Sequence, residues 1–324
     1  GGVPDPVDTV EKALAYRRRI NEIRNLYFQN KLLLDHIPRI GKGEDLFTPR
    51  MTCYLTDNTK PKEVACGVRE DVWCAVKLYM ANQKGEGGTT GSHAGVKNLL
   101  GCYHVFEEME RNGIPLLGHF EAVEENVDEF DREIVSVERD LQPLLKEFPG
   151  LPVVFEHITD GRAADFVAEA SYNIQATVTA HHLMINRNDM FKGGMNPGYY
   201  CKPVPKREEH RLRVRKYVTS GNRRFGAGTD SAPHDEEAKS RCYGCAAGIF
   251  TAPRAVEMYT TIFDEDNALE HLGPFMSENF VWLYGMKVSS KLMLIQRTPN
   301  EVPQKIGNVQ VFRGGTTLPW KLIG

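Results

Sequence analysis

LPVVFEHITDGRAADFVAEASYNIQATVTAHH (residues 151–182) contains two apolar runs separated by a turn and a helical stretch. Leu151–His157 is short, aromatic and β-branched, which suits a buried strand. Residues 163–170 carry alanines and Val167 at helical spacing, and Ile174–His182 reads as a second strand. Two strands joined by a helix make the βαβ unit of a parallel sheet, because parallel neighbours need a crossover connection. Both runs end on histidine, His157 and His182.

The alternation continues in both directions. Upstream, a helix from Thr9 to about Leu33 precedes strands at 50–55, 73–79 and 114–119. Helices fall between them at 60–70 and 101–111, and a long charged helical segment covers 127–148. QKGEGGTTGSHAG (83–95) is a glycine-rich loop too long for a simple turn. Downstream, a basic helix at 208–219 leads to a sixth strand, 224–229. From the second strand onward the ends carry Lys77, His119, His157, His182 and Asp230. In a parallel barrel every strand delivers its C-terminal end to one rim. A single histidine there is ordinarily a satisfied core or cap residue. Successive ends of His, His, His and Asp point to a metal site, since borderline cations such as zinc take imidazole nitrogen with carboxylate oxygen.

The chain has 324 residues, 41% hydrophobic and 26% charged, with a formal net charge of −3. This is ordinary for a globular enzyme and offers no basic surface for nucleic acid. No run of about 18 apolar residues suggests a membrane span. Seven cysteines, an odd number, argue for reduced thiols and a cytoplasmic protein rather than a disulfide framework.

VKLY (76–79), GHFE (118–121), VVFEHIT (153–159), TAHHLMINRN (179–188), YCKPVPK (200–206) and GTDSAPH (228–234), in this order and spacing, resemble the dihydroorotases of the single-function type in the amidohydrolase superfamily. The resemblance runs from about Thr9 nearly to the C-terminus. It implies a single amidohydrolase-like domain over 1–324, a (β/α)8 TIM barrel with two zinc ions at its C-terminal rim. It implies the reversible cyclisation of N-carbamoyl-L-aspartate to L-dihydroorotate in de novo pyrimidine biosynthesis. Lys77 would be carboxylated by CO2 to a bridging carbamate, with His119 and His157 as ligands of the second zinc. Asp230 would bind the first zinc and shuttle the proton. His234 would hold the substrate carboxylate beside the backbone of Ala246, and the backbone of Lys202 would touch substrate. Thr89 and Thr90 match a loop that closes over the ligand. Barrels of this class often pair, which leaves a homodimer open. A related cyclic-amide hydrolase of the dihydropyrimidinase or allantoinase type is one alternative reading, and a non-catalytic scaffold is another.

Other residues have plainer expectations. Of His181 and His182, only His182 lies on the family motif, as a supporting residue outside the ligand set. His93 reads as a solvated loop residue, and Cys242–Cys245 as a packed turn rather than a zinc site. Glu121 either orients an imidazole or is solvated, and Phe120 would crowd the rim where relatives often have glycine. No His-x-His occurs in the chain, although the superfamily's first strand carries one. Six strands where a barrel needs eight lead to the same expectation. The first two strands are absent from this sequence, either because they precede Gly1 or because the chain is a truncated relative without the first zinc site.

Overall fold

A computed structural model describes residues 5–28, 48–86, 88–89, 92–241, 243–290 and 292–324. Helix α1 (Val10–Phe28) is followed by β1 (Met51–Tyr54), α2 (Pro61–Arg69), β2 (Trp73–Tyr79), α3 (Tyr103–Asn112) and β3 (Leu116–His119). Then come α4 (Arg132–Ser136), α5 (Gln142–Glu147), β4 (Val153–Phe155), α6 (Gly161–Glu169) and β5 (Ile174–Val178). Helices α7 (Ala180–Met184) and α8 (Glu208–Thr219) precede β6 (Phe225–Ala227), with α9 (Glu236–Ser240) and α10 (Ala255–Glu265) beyond it.

The six strands form one parallel sheet in chain order, β1-β2-β3-β4-β5-β6. Sequential order without a reversal is the winding of a barrel, whereas a doubly wound sheet reverses at a switch point. Alternate side chains fall on opposite faces. Leu116, Val153, Phe155, Ile174 and Phe225 join the large core under the helices. Ala75, Leu117 and Val154 make a smaller apolar cluster with Leu283 on the other face. Local signals fix the helix starts. Asp160 caps α6 by accepting the Arg162 N–H at 2.8 Å, and Thr179 caps α7 by accepting the His182 N–H at 3.0 Å.

Several expectations need correction. His182 does not end β5: the strand stops at Val178 and His182 lies in α7, because the Thr179 hydroxyl starts a helix there. The last predicted strand closes at Ala227, two residues before Thr229. The helix predicted over 127–148 is shorter, running from Arg132 to Glu147, with a π-helical stretch over Val137–Leu141 joining α4 to α5. Residues 29–33 of the first predicted helix lie outside the described residues. Strands β7 (Ile295–Glu301) and β10 (Thr317–Leu322), which pair antiparallel, escaped the sequence reading, as did the short β8 (Lys305–Ile306) and β9 (Val309–Gln310). Phe120 does not crowd the rim. Its ring is buried against Phe155 and lies over Gly118, where a Cβ would come within 2.1 Å of it.

Candidate active site

The two-residue period of the strands places the site. Ala75, Leu117 and Val154 face Leu283, so Lys77, His119 and Glu156, each two residues further on, emerge on the same side at the rim. Lys77 Nζ forms an ion pair with Glu156 Oε2. His119 Nδ1 lies 3.1 Å from His157 Nε2, and His119 Nε2 donates to Glu121 Oε2 at 2.6 Å. Beyond β4 the backbone turns through positive φ at His157 (45°), held by an N–H bond to Thr177 Oγ1 at 2.8 Å. Beyond β6 it does the same at Asp230 (φ 39°).

The electrostatics follow from burial and mutual charge. Burial and the neighbouring His119 and Lys77 hold His157 well below the ordinary histidine range, so its imidazole is neutral. Burial pushes the Glu121 carboxyl up, but His119 and the lysines at 206 and 202 outweigh it and hold Glu121 at about 2. For Lys77, burial is outweighed by Glu156, Tyr79 and Asp230, which keep it above its usual value. Asp230 meets solvent at the mouth yet is walled by protein on most sides. That surrounding pushes its carboxyl up to about 6, against the pull of Lys77 and His119.

This donor set fits a divalent metal. With Glu121 fixing the proton on His119 Nε2, its Nδ1 lone pair points at His157, as carboxylates orient metal-ligating imidazoles. The other nitrogen of His157, Nδ1, is buried without a partner among the described residues. A cation at these imidazoles, with Asp230 completing the set, answers that arrangement. Lys77 fits only after it leaves Glu156, since an ammonium cannot ligate.

The remaining predicted residues gather beside this rim. His234 Nε2 donates to Ala247 O at 3.1 Å. Ala246 spends its N–H on Ala238 O at 2.9 Å and its carbonyl on Lys239 Nζ at 3.0 Å. The Lys202 side chain is buried in an ion pair with Glu129. In the glycine-rich loop, the Thr89 N–H donates to Ser92 Oγ at 2.9 Å, and a Cβ at Gly88 would lie 3.5 Å from Glu121 Oε2, which sets Gly88 beside the rim. Thr90 and Cys242 lie outside the described residues. His93 is exposed beside Tyr54.

His181, His182 and Cys201 form a second grouping, with donor atoms within 4.8 Å of one another. His182 accepts from the Thr179 hydroxyl at Nδ1 (2.8 Å) and donates from Nε2 to Pro203 O (2.9 Å). The Cys201 thiol shares that carbonyl, and burial pushes it far above the usual range. These bonds leave His182 no free lone pair, so His182 and Cys201 brace the 200–206 segment against α7. Sequence reasoning missed Glu156, Lys239 and the buried pair Lys206–Glu133, whose Nζ and Oε2 lie 3.0 Å apart. The strand period could have flagged Glu156, which shares the face of Val154.

No family model matches the chain. The dihydroorotase of Synechococcus sp. (strain CC9902) is 46% identical over 317 residues, covering 98% of this chain and 86% of that protein. The crystal structure of Saccharomyces cerevisiae dihydroorotase in complex with 5-fluoroorotic acid superposes with a TM-score of 0.84 at 26% identity, over 98% of this chain and 86% of that one. The L-hydantoinase (dihydropyrimidinase) of Arthrobacter aurescens matches with a TM-score of 0.73 at 15% identity, over 98% of this chain and 72% of that one. At that identity the likeness speaks for the fold alone, the (β/α)8 barrel of the amidohydrolases. Sequential parallel strands, a histidine-lined rim and 46% identity over nearly the whole chain lead to one assignment: the chain belongs to the dihydroorotase family.

Proposed function

We propose that the protein is a zinc-dependent dihydroorotase, interconverting L-dihydroorotate and N-carbamoyl-L-aspartate. The observation that carries this reading is the gathering of His119, His157, Lys77 and Asp230 at one rim in a chain 46% identical to a dihydroorotase. His119, His157, Asp230 and a carboxylated Lys77 would hold the metal. Zinc, when bound, polarises a ring carbonyl and lowers the pKa of water towards neutrality.

The chain's own residues supply the rest. In hydrolysis, Asp230 accepts the proton of the attacking water and returns it to the departing ring nitrogen, as general base and then general acid. Glu121 keeps the His119 imidazole in one tautomer and orientation. His234 grips the carboxylate that distinguishes dihydroorotate from other cyclic amides, and the loop bearing Thr89 covers the ligand and excludes water. A site with a built carboxylate partner should reject rings lacking that group strongly.

The test is a comparison of turnover on L-dihydroorotate, dihydrouracil and allantoin. The expected result is a kcat/KM for dihydroorotate at least ~100-fold above the other two. A preference for dihydrouracil or allantoin would replace this reading with that of another cyclic-amide hydrolase.

A further inference from the structure

Lys239 is a buried cation without a counter-ion. It is 7% exposed, and no carboxylate among the described residues pairs with it. All three ammonium hydrogens go to backbone carbonyls: Tyr200 O at 2.8 Å, Ala246 O at 3.0 Å and Gly248 O at 2.9 Å. Burying an uncompensated charge is costly, so carbonyls that hold one must be well fixed.

The three acceptors belong to two segments that meet here. Tyr200 opens the stretch bearing Cys201 and Lys202, and it also accepts the Gly248 N–H at 3.0 Å. In 246–248 alternate carbonyls face opposite ways. Those of Ala246 and Gly248 point to Lys239, and that of Ala247 points to His234 Nε2. Gly248 itself packs against His234, with room for no side chain: a Cβ there would sit 2.8 Å from His234 Cδ2. Fixing two carbonyls on one side of this segment therefore fixes the third, which aims the imidazole and leaves its Nδ1 for a ligand.

The geometry points to Lys239 as the positioning residue of the carboxylate clamp. Its ammonium orients His234 through the 246–248 backbone, and its charge adds positive potential beneath a carboxylated ring. This rests on the dihydroorotase reading. It assigns Lys239 to selectivity for the carboxylate rather than to the chemical step.

The test is Lys239→Met in the full chain, read by binding of 5-fluoroorotate and of 5-fluorouracil, the same ring without the carboxylate. Steady-state kinetics on L-dihydroorotate accompany it. The expected result is 5-fluoroorotate affinity and KM each weakened at least tenfold, with 5-fluorouracil affinity and kcat within threefold of wild type. Unchanged 5-fluoroorotate affinity overturns the proposal, and so does an equal loss for both ligands. If Lys239→Met does not fold, Lys239→Gln is read by the same criteria. Wild-type protein that neither binds 5-fluoroorotate nor turns over dihydroorotate overturns the dihydroorotase reading itself. An active wild type with an unaltered Lys239 variant overturns only the role of the lysine.

Discussion

His157 and Asp230 both occupy left-handed backbone, with φ of 45° and 39°. A non-glycine residue held there costs on the order of 1–3 kcal/mol, and such strain persists where the surroundings over-determine it. At His157 the fixed N–H bond to Thr177 does so, and the turn swings the imidazole to within 3.1 Å of His119. Asp230→Asn keeps size and shape but cannot accept a proton. The expected loss is about 100-fold or more in kcat with circular dichroism unchanged, and near-normal turnover would remove Asp230 from the proton path. Gly248→Ala tests the clamp, because its Cβ would meet Ala232 Cβ at 2.7 Å as well as His234. KM for dihydroorotate should rise about tenfold, a loss of roughly 1.4 kcal/mol of binding. An unchanged KM would mean that the His234 position does not govern affinity. Lys77, His119, His157 and Asp230 were legible in the sequence because each lies in or just beyond an apolar strand. Lys239 was not: its partners are carbonyls, which leave no mark on residue identity.

At the scale of elements, the rim is braced by buried charge. Glu133 of α4 accepts the Thr159 N–H at 2.8 Å just beyond β4, and its carboxylate pairs with Lys206 at 3.0 Å. This single contact ties three segments that surround the site, and both side chains are almost wholly buried. Removing Lys206 leaves Glu133, which burial already holds above the usual carboxylate range, with only its bonds from Thr159. Lys206→Met should cost about 3–5 kcal/mol of unfolding free energy, measured by urea denaturation. A loss below about 1 kcal/mol would mean that Glu133 is neutral in the fold. The order of elements was readable as far as β6, because apolar runs alternate with amphipathic ones. Helix α7 was not, since TVTAHH continues the apolar run of β5 and only the Thr179 cap marks the change. The strands after α10 were missed because β7 and β10 are largely exposed and polar, with RTPN and PWK inside them. They pair with each other across residues 302–316, and no periodicity announces it.

For the whole molecule, the consequence of sequential parallel order is that the ends of β2, β3, β4 and β6 reach one rim, so residues up to about 150 positions apart share a site. Glu156 and Asp230 help hold Lys77 above its usual value, and Lys77 pulls against the rise of Asp230, only because of that winding. No helix among the described residues is long and apolar enough to cross a membrane. The rim is proposed to perform metal-dependent dihydroorotase chemistry. The most direct measurement is steady-state hydrolysis of L-dihydroorotate before chelation, after removal of metal with a chelator, and after return of zinc. Turnover is expected to be lost on chelation and restored by zinc. Turnover indifferent to the chelator, or none with zinc supplied, would contradict it.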